Sequence, residues 1–223
     1  MSSSPSKTAL RRALTCAGLA LAPVLALTAP ATAIPAIPTI PTAPADVNFD
    51  CEANAPIVGP QHVNLKQSAE VTAPATVAPG GALDVVIDPA PNSVPGDVAG
   101  FKVKEIKGFA LKIPVPANSS YVSADLTGGS GLGSTPPKIT VDGSVATLAF
   151  PGPIAGGAQF ELPTVTVHLK AGTSGKIETK LAGTSYADPG LTFTAVATQI
   201  IDIEAPTACF PNPSPTFTTT TIG

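Results

Sequence analysis

Two histidines, His62 and His168, are the only imidazoles in the 223-residue chain, and imidazole is the side chain that changes charge nearest neutral pH. A histidine-centred triad needs a hydroxyl nucleophile and an orienting acid gathered in space. No serine stands in the Gly-x-Ser-x-Gly turn that presents a nucleophile at a strand end. Both histidines are therefore expected as solvent-facing or hydrogen-bonded strand residues. Metal chemistry has equally little to build on, because the histidines lie more than a hundred positions apart and a zinc site needs three or four clustered ligands. No cofactor motif is present.

Four carboxylates invite a second test. Asp50 with Glu52, and Asp202 with Glu204, are spaced so that each pair shares one face of a strand. Together they could hold Ca²⁺ through oxygen ligands, but no calcium-loop spacing accompanies them, and solvated outer-face charges are the expectation. Paired acids also serve glycoside hydrolysis. Such enzymes grip sugars with aromatic platforms, and this chain has no Trp and two Tyr, Tyr121 and Tyr186.

Two further stretches are candidate contact surfaces. Gly128, Gly129, Ser130, Gly131 and Gly133 surround Leu132 in a glycine-rich run. It lacks the Gly-Lys-Ser/Thr ending of a phosphate loop and leads into Ser134-Thr135-Pro136-Pro137 rather than a helix. A flexible surface loop able to border a binding site is expected. Lys102, Lys104, Lys107 and Lys112 form the one local positive patch, a place where an anionic envelope polymer or headgroup could dock, or otherwise a solvated face.

The cysteines depend on where the chain is delivered. Residues 1 to 33 carry a basic start (Lys7, Arg11, Arg12), an apolar stretch from Ala13 to Ala29, and Ala31-Thr32-Ala33. This is the layout of a secretory signal peptide, expected to be cleaved after Ala33. The stretch is broken by Pro23 and is shorter than a membrane span requires, so no transmembrane span is expected after cleavage. Arg11-Arg12 matches a twin-arginine signal only loosely. Cys16 leaves with the signal. Of the three cysteines, Cys51 and Cys209 then remain in an oxidising compartment and are expected to form one disulfide. Both arginines leave as well, and nine lysines against fifteen carboxylates give the mature chain a formal charge of −6. Nucleic acid is excluded as a partner, since its binders present a basic face.

These side chains must be positioned by strands. Residues 34 to 45 place proline at 35, 38, 41 and 44, the period of a polyproline II spacer. From residue 46 to 210, two-residue alternation runs between turn signals: Val47, Phe49 and Cys51; Val63, Leu65, Ala69 and Val71; Leu83, Val85 and Ile87; Phe109, Leu111, Ile113 and Val115; and Leu191 to Ile203. Twenty-six prolines and twenty glycines suit many short strands rather than helices. In the hairpin from Lys138 to Phe150, Asp142-Gly143 reads as a two-residue turn, which sets Val141 opposite Ser144 and Ile139 opposite Ala146. Between residues 158 and 172 the phase switches at Pro163, which reads as a bulge or edge kink. Residues 98 to 107 fit either a strand or a short helical turn that buries Phe101, Val103 and Ile106. About nine or ten strands predict an all-β, antiparallel, Greek-key sandwich of immunoglobulin-like type, with a closed barrel as the alternative. The Pro/Thr-rich tail, 211 to 223, reads either as a terminal edge strand or as a disordered end.

The stretches Phe49-Asp50-Cys51-Glu52, Phe150-Pro151-Gly152-Pro153-Ile154-Ala155-Gly156-Gly157 and Gly183-Thr184-Ser185-Tyr186-Ala187-Asp188-Pro189-Gly190, in a chain rich in Ala, Pro, Thr, Gly and Val, resemble uncharacterised secreted β-sandwich proteins of high-GC actinobacteria. The resemblance implies a location and a fold, and no activity or site residue. The functional expectation is a secreted or cell-envelope, non-enzymatic β protein that binds a protein partner or envelope component. A carrier of an apolar ligand such as a lipid is the alternative, and a hydrolase whose site is not visible in sequence stands third.

Overall fold

A computed structural model describes residues 44–56 and 58–223. The expected signal peptide (1–33) and all but the end of the proline-rich spacer (34–45) lie outside the described residues. Seventeen strands follow one another: β1 (Ala45–Ala55), β2 (Gly59–Thr72), β3 (Thr76–Val77), β4 (Ala82–Pro89), β5 (Asn92–Ser93), β6 (Asp97–Val98), β7 (Phe101–Pro114), β8 (Ser119–Thr127), β9 (Lys138–Asp142), β10 (Val145–Phe150), β11 (Ile154–Ala155), β12 (Gln159–Phe160), β13 (Thr164–Ala171), β14 (Gly175–Thr179), β15 (Leu191–Thr198), β16 (Asp202–Pro211) and β17 (Thr218–Ile222). No helix among the described residues is long and apolar enough to cross a membrane.

Ten of these strands form one continuous antiparallel path, β8-β13-β4-β2-β1-β16-β15-β7-β10-β9, with β6 and β11 added along β7. Its two end strands, β8 and β9, approach each other, so the sheet curls nearly into a barrel. The all-β, antiparallel expectation is met. Of the two architectures weighed, the strand path runs nearly to the closed one. Closure matters because an open sheet this wide leaves long unpaired edges.

The interior divides into two apolar clusters. One gathers Leu83, Val85, Leu148, Val165, Leu169 and Ile177, each at most 4% exposed. It is capped by a three-stranded sheet in which β17 runs between β14, antiparallel, and β3, parallel. The Pro/Thr-rich tail thus contributes a central strand with Thr220 and Ile222 buried, rather than an edge strand or a disordered end. The other cluster centres on Val47, Phe49, Phe109, Phe150 and Leu191 around the disulfide. Phe109 and Phe150 face each other across β7 and β10 with ring centroids 4.7 Å apart, a stacked pair of the kind that adds to plain burial.

Cys51 and Cys209 are joined, with Cα atoms 4.0 Å apart and both side chains fully buried. They are direct cross-strand partners on β1 and β16. Cys209 therefore lies inside a long strand, β16, rather than in a segment after the last one, where reading Leu191 to Ile203 as a single strand would put it. The reason is that Leu191 to Ile203 is not a single strand. It turns at Gln199–Ile201 and returns as β16, pairing Leu191 with Cys209 and Ala197 with Ile203. In this register odd positions pair with odd positions, so alternation runs through the turn unbroken and hides it.

Two other local readings change, and a third, residues 98 to 107, resolves to the strand of its two alternatives. The hairpin of β9 and β10 pairs Asp142 with Val145 and Val141 with Ala146. Its turn is Gly143-Ser144, with Gly143 at φ 56°, because a Gly-first turn takes the positive φ at its first central residue. The shift is by two residues, so Ile139 and Leu148 still share the inner face. The phase switch near Pro163 separates two strands of different sheets, β12 and β13, rather than bending one. Residues 101 to 114 make one long strand, whose alternation is re-phased by irregular pairing with β15 at Thr192–Thr194 and Val196–Ala197.

Candidate functional site

On the outer face of β13, His168 lies opposite Asp84 of β4, and Asp125 of β8, the partner of Thr166, is its diagonal neighbour on the other side. Its Nδ1 is 2.7 Å from an Asp84 carboxylate oxygen and its Nε2 is 3.0 Å from one of Asp125. Both nitrogens can donate only in the imidazolium form. The hydrogen bond to Asp125, then that to Asp84, raises the histidine's pKa above its ordinary value against the opposing effect of burial. In the imidazolium form the ring has no lone pair with which to take a proton from a hydroxyl. His62 is exposed on β2, its Nδ1 3.2 Å from the Tyr186 hydroxyl and its Nε2 3.9 Å from Glu52. Tyr186 in turn sets its ring against Phe210 of β16 at 5.2 Å, so the Gly183–Gly190 stretch is fastened across the outside of β1 and β16.

The four carboxylates do not converge. Asp50 and Glu52 stand opposite Phe210 and Ala208, while Glu204 is four residues further along β16, roughly 13 Å at about 3.3 Å per residue. Asp50 accepts from the Asn212 side chain at 2.7 Å. Asp202 accepts from Lys104 at 2.5 Å, and Glu204 pairs with Lys107. Lys104, then the Thr198 hydroxyl, holds the Asp202 carboxyl below its usual range, and Asp202 raises the Lys104 ammonium above its own. Lys102 is 3.8 Å from Asp97. Three of the four patch lysines thus have carboxylate partners, and Lys112 stands apart, opposite Thr147 of β10. Among the described residues no group of three His, Cys, Asp or Glu is placed to hold a metal ion.

The glycine-rich run is not a free loop. Ser130 exchanges both backbone hydrogen bonds with Glu161 at 2.9 Å, and Leu132 is buried. A Cβ on Gly131 would come 2.6 Å from the Gln159 carbonyl oxygen, and one on Gly133 would come 2.5 Å from that of Gly152. Glycine is required there for backbone to lie on backbone, and the run is a strap over β12.

Among the described residues there is a feature with room for a ligand that the alternation could not reveal. Inside the curled sheet, at the end formed by β1, β2, β7, β15 and β16, is a cavity of about 380 Å³, within the roughly 300–1,000 Å³ range of small-molecule sites. Val63, Leu65, Val103, Ile106 and Phe193 point into it and stay only half-buried. Phe160 and Leu162 line it from the side of β5 and β12. Of its polar neighbours, Gln61, Gln67, Asn92 and Thr207 are engaged with the protein, and Asn64, Lys66 and Ser93 are solvent-exposed. The Gln67 side chain donates to the carbonyls of Ser68 and Ala90, each at 2.8 Å, and accepts from Asn92 at 3.0 Å. Thr207 donates to the Ala205 carbonyl at 3.0 Å. No buried side-chain polar atom among the described residues lacks a partner, so the walls offer contact area and no hydrogen bond that needs answering.

No family model and no curated protein matches the chain. Its fold is similar to the crystal structure of a protein from Corynebacterium diphtheriae described as membrane anchored, with a TM-score of 0.55 and 21% identity. The likeness covers 81% of this chain and 38% of that protein. It concerns the fold alone.

Proposed function

We propose that this is an exported, non-catalytic envelope protein that holds an apolar, lipid-class molecule within its curled sheet. The single observation that carries the reading is the cavity, whose walls are mainly aliphatic and aromatic and leave no buried polar side chain without a partner. Burial of apolar surface is the one driving force such a site offers, at about 25 cal/mol per Å² removed from water. The signal-like first 33 residues and the membrane-anchored description of the structurally similar corynebacterial protein support an envelope setting. The carboxylate-clamped His168 and the neutralised lysines favour structural roles for the outer face.

The test is direct. Protein purified from a secreting host is extracted with organic solvent and analysed by mass spectrometry, and it is titrated with a fluorescent fatty acid. Co-purifying lipid and saturable probe binding are expected, with no turnover of ester, glycoside or peptide substrates. Absence of both lipid and probe binding would remove the carrier reading, and turnover would remove the non-catalytic one.

A further inference from the structure

The cavity lies at an end of the sheet where three hairpins finish level with one another. Cys51 pairs with Cys209 and Ala53 with Thr207, so continuing that register carries the β1–β2 tip to the height of Asp202 and the β15–β16 tip beside it. Thr198 pairs with Lys102, which puts the β6–β7 tip, Ala99-Gly100, at the same height. Apolar side chains point outward from two of these tips: Ile200 is 98% exposed, Ile201 60% and Val58 45%. The same hairpins supply cavity lining immediately behind the tips, through Val58, Ala99, Ala197 and Ile203. Apolar surface therefore continues from the inside of the sheet to the ends of its loops.

We propose that these tips insert into a lipid surface, so that the cavity mouth faces the layer from which its ligand comes. The inference rests on the cavity reading for the direction of traffic, while the insertion itself rests on the tips. Exposed isoleucine and valine on separate hairpin ends present points rather than a face. A stable protein contact needs roughly 800 Å² of matched surface per partner, whereas the acyl boundary of a lipid layer accepts isolated apolar groups one by one. Charge agrees with an uncharged layer. Lys102 with Asp97 and Lys104 with Asp202 are exposed ion pairs beside the tips, placing neutral, hydrated groups where headgroups would lie.

Flotation of the purified protein with phosphatidylcholine vesicles, and with vesicles containing phosphatidylglycerol, tests the proposal. Association is expected with both. Ile200→Asp combined with Ile201→Asp is expected to lower the vesicle-bound ratio about tenfold or more, as befits loss of apolar insertion. Because the substituted positions are exposed, far-UV spectrum, melting midpoint and fatty-acid probe binding in solution should stay as in the wild type. Failure of the wild type to float, equal flotation of the variant, or flotation with the anionic vesicles alone would overturn the proposal. So would a wild-type dimer in sedimentation velocity that Ile200→Asp converts to monomer, since the tips would then belong to a contact between copies. The two readings fail separately: Ala195→Phe, which narrows the cavity, should weaken probe binding about tenfold or more and leave flotation unchanged.

Discussion

The two ends of the curled sheet are built from the same alternating strands and end in opposite states. Where β4, β10 and β13 meet under the cap of β14, β17 and β3, the inward side chains Leu83, Leu148, Val165 and Leu169 are at most 4% exposed. Where β2, β7 and β15 form the walls, the inward side chains Val63, Val103 and Phe193 remain half-buried around a cavity. Alternation decides which face a side chain takes. Whether that face is dry depends on how far away the opposite wall stands. The capped end is held by packing, and the open end carries a covalent tie across its floor, Cys51–Cys209, where fewer buried side chains are available to do so.

The difference can be broken most forcefully at Leu148. Leu148→Ala should cost about 2–5 kcal/mol in chemical denaturation, the usual range for deleting a fully buried leucine, and Leu65→Ala in the cavity wall should cost clearly less. Equal losses would mean the two ends are packed alike. Next in size is the disulfide. Cys51→Ala should lower stability by about 2–4 kcal/mol, and hydrogen exchange should quicken first in β1, β2, β15 and β16 while β4 and β13 stay protected. Native protein alkylated without reductant should show no modified cysteine by mass spectrometry.

A smaller effect separates ligand space from stability. Ala195→Phe should weaken fatty-acid probe binding about tenfold or more while shifting the unfolding free energy by no more than about 1–3 kcal/mol, the range for added bulk at a packed site. The smallest expected effect lies on the outer skin of the capped end. His168 has a raised pKa when folded, through Asp125 and Asp84, so its stabilisation is fully present below the ordinary histidine value of about 6.5 and is lost as pH rises through the raised one. The melting midpoint of the wild type should accordingly exceed that of His168→Asn at mildly acidic pH, and the gap should narrow as the buffer is made alkaline. A gap that widens would contradict the carboxylate clamp.

Much of the fold was legible because period two survives wherever one face is buried: Val47-Phe49-Cys51 and Leu83-Val85-Ile87 lie on the inner face as their spacing requires. The disulfide followed from counting cysteines. What stayed hidden depends on register and on distance. The turn at Gln199–Ile201 left no trace, since the returning strand keeps the same parity. The glycines at 131 and 133 looked like a flexible loop because nothing in sequence tells a glycine chosen for mobility from one chosen for close backbone approach. The cavity was least legible of all. Leu65 and Phe193 read the same as core residues, and the gap between them belongs to the curvature of the sheet.

The position of β17 also bears on how the molecule can be made. Thr76–Val77 and Gly175–Thr179 flank a place that is filled by Thr218–Ile222, and β1 waits for β16 before it has a neighbour on its second side. A ribosome delivers each of those partners well after the strands it joins, and long-range pairings of this kind form slowly, so both places stay open while the residues between are still being made.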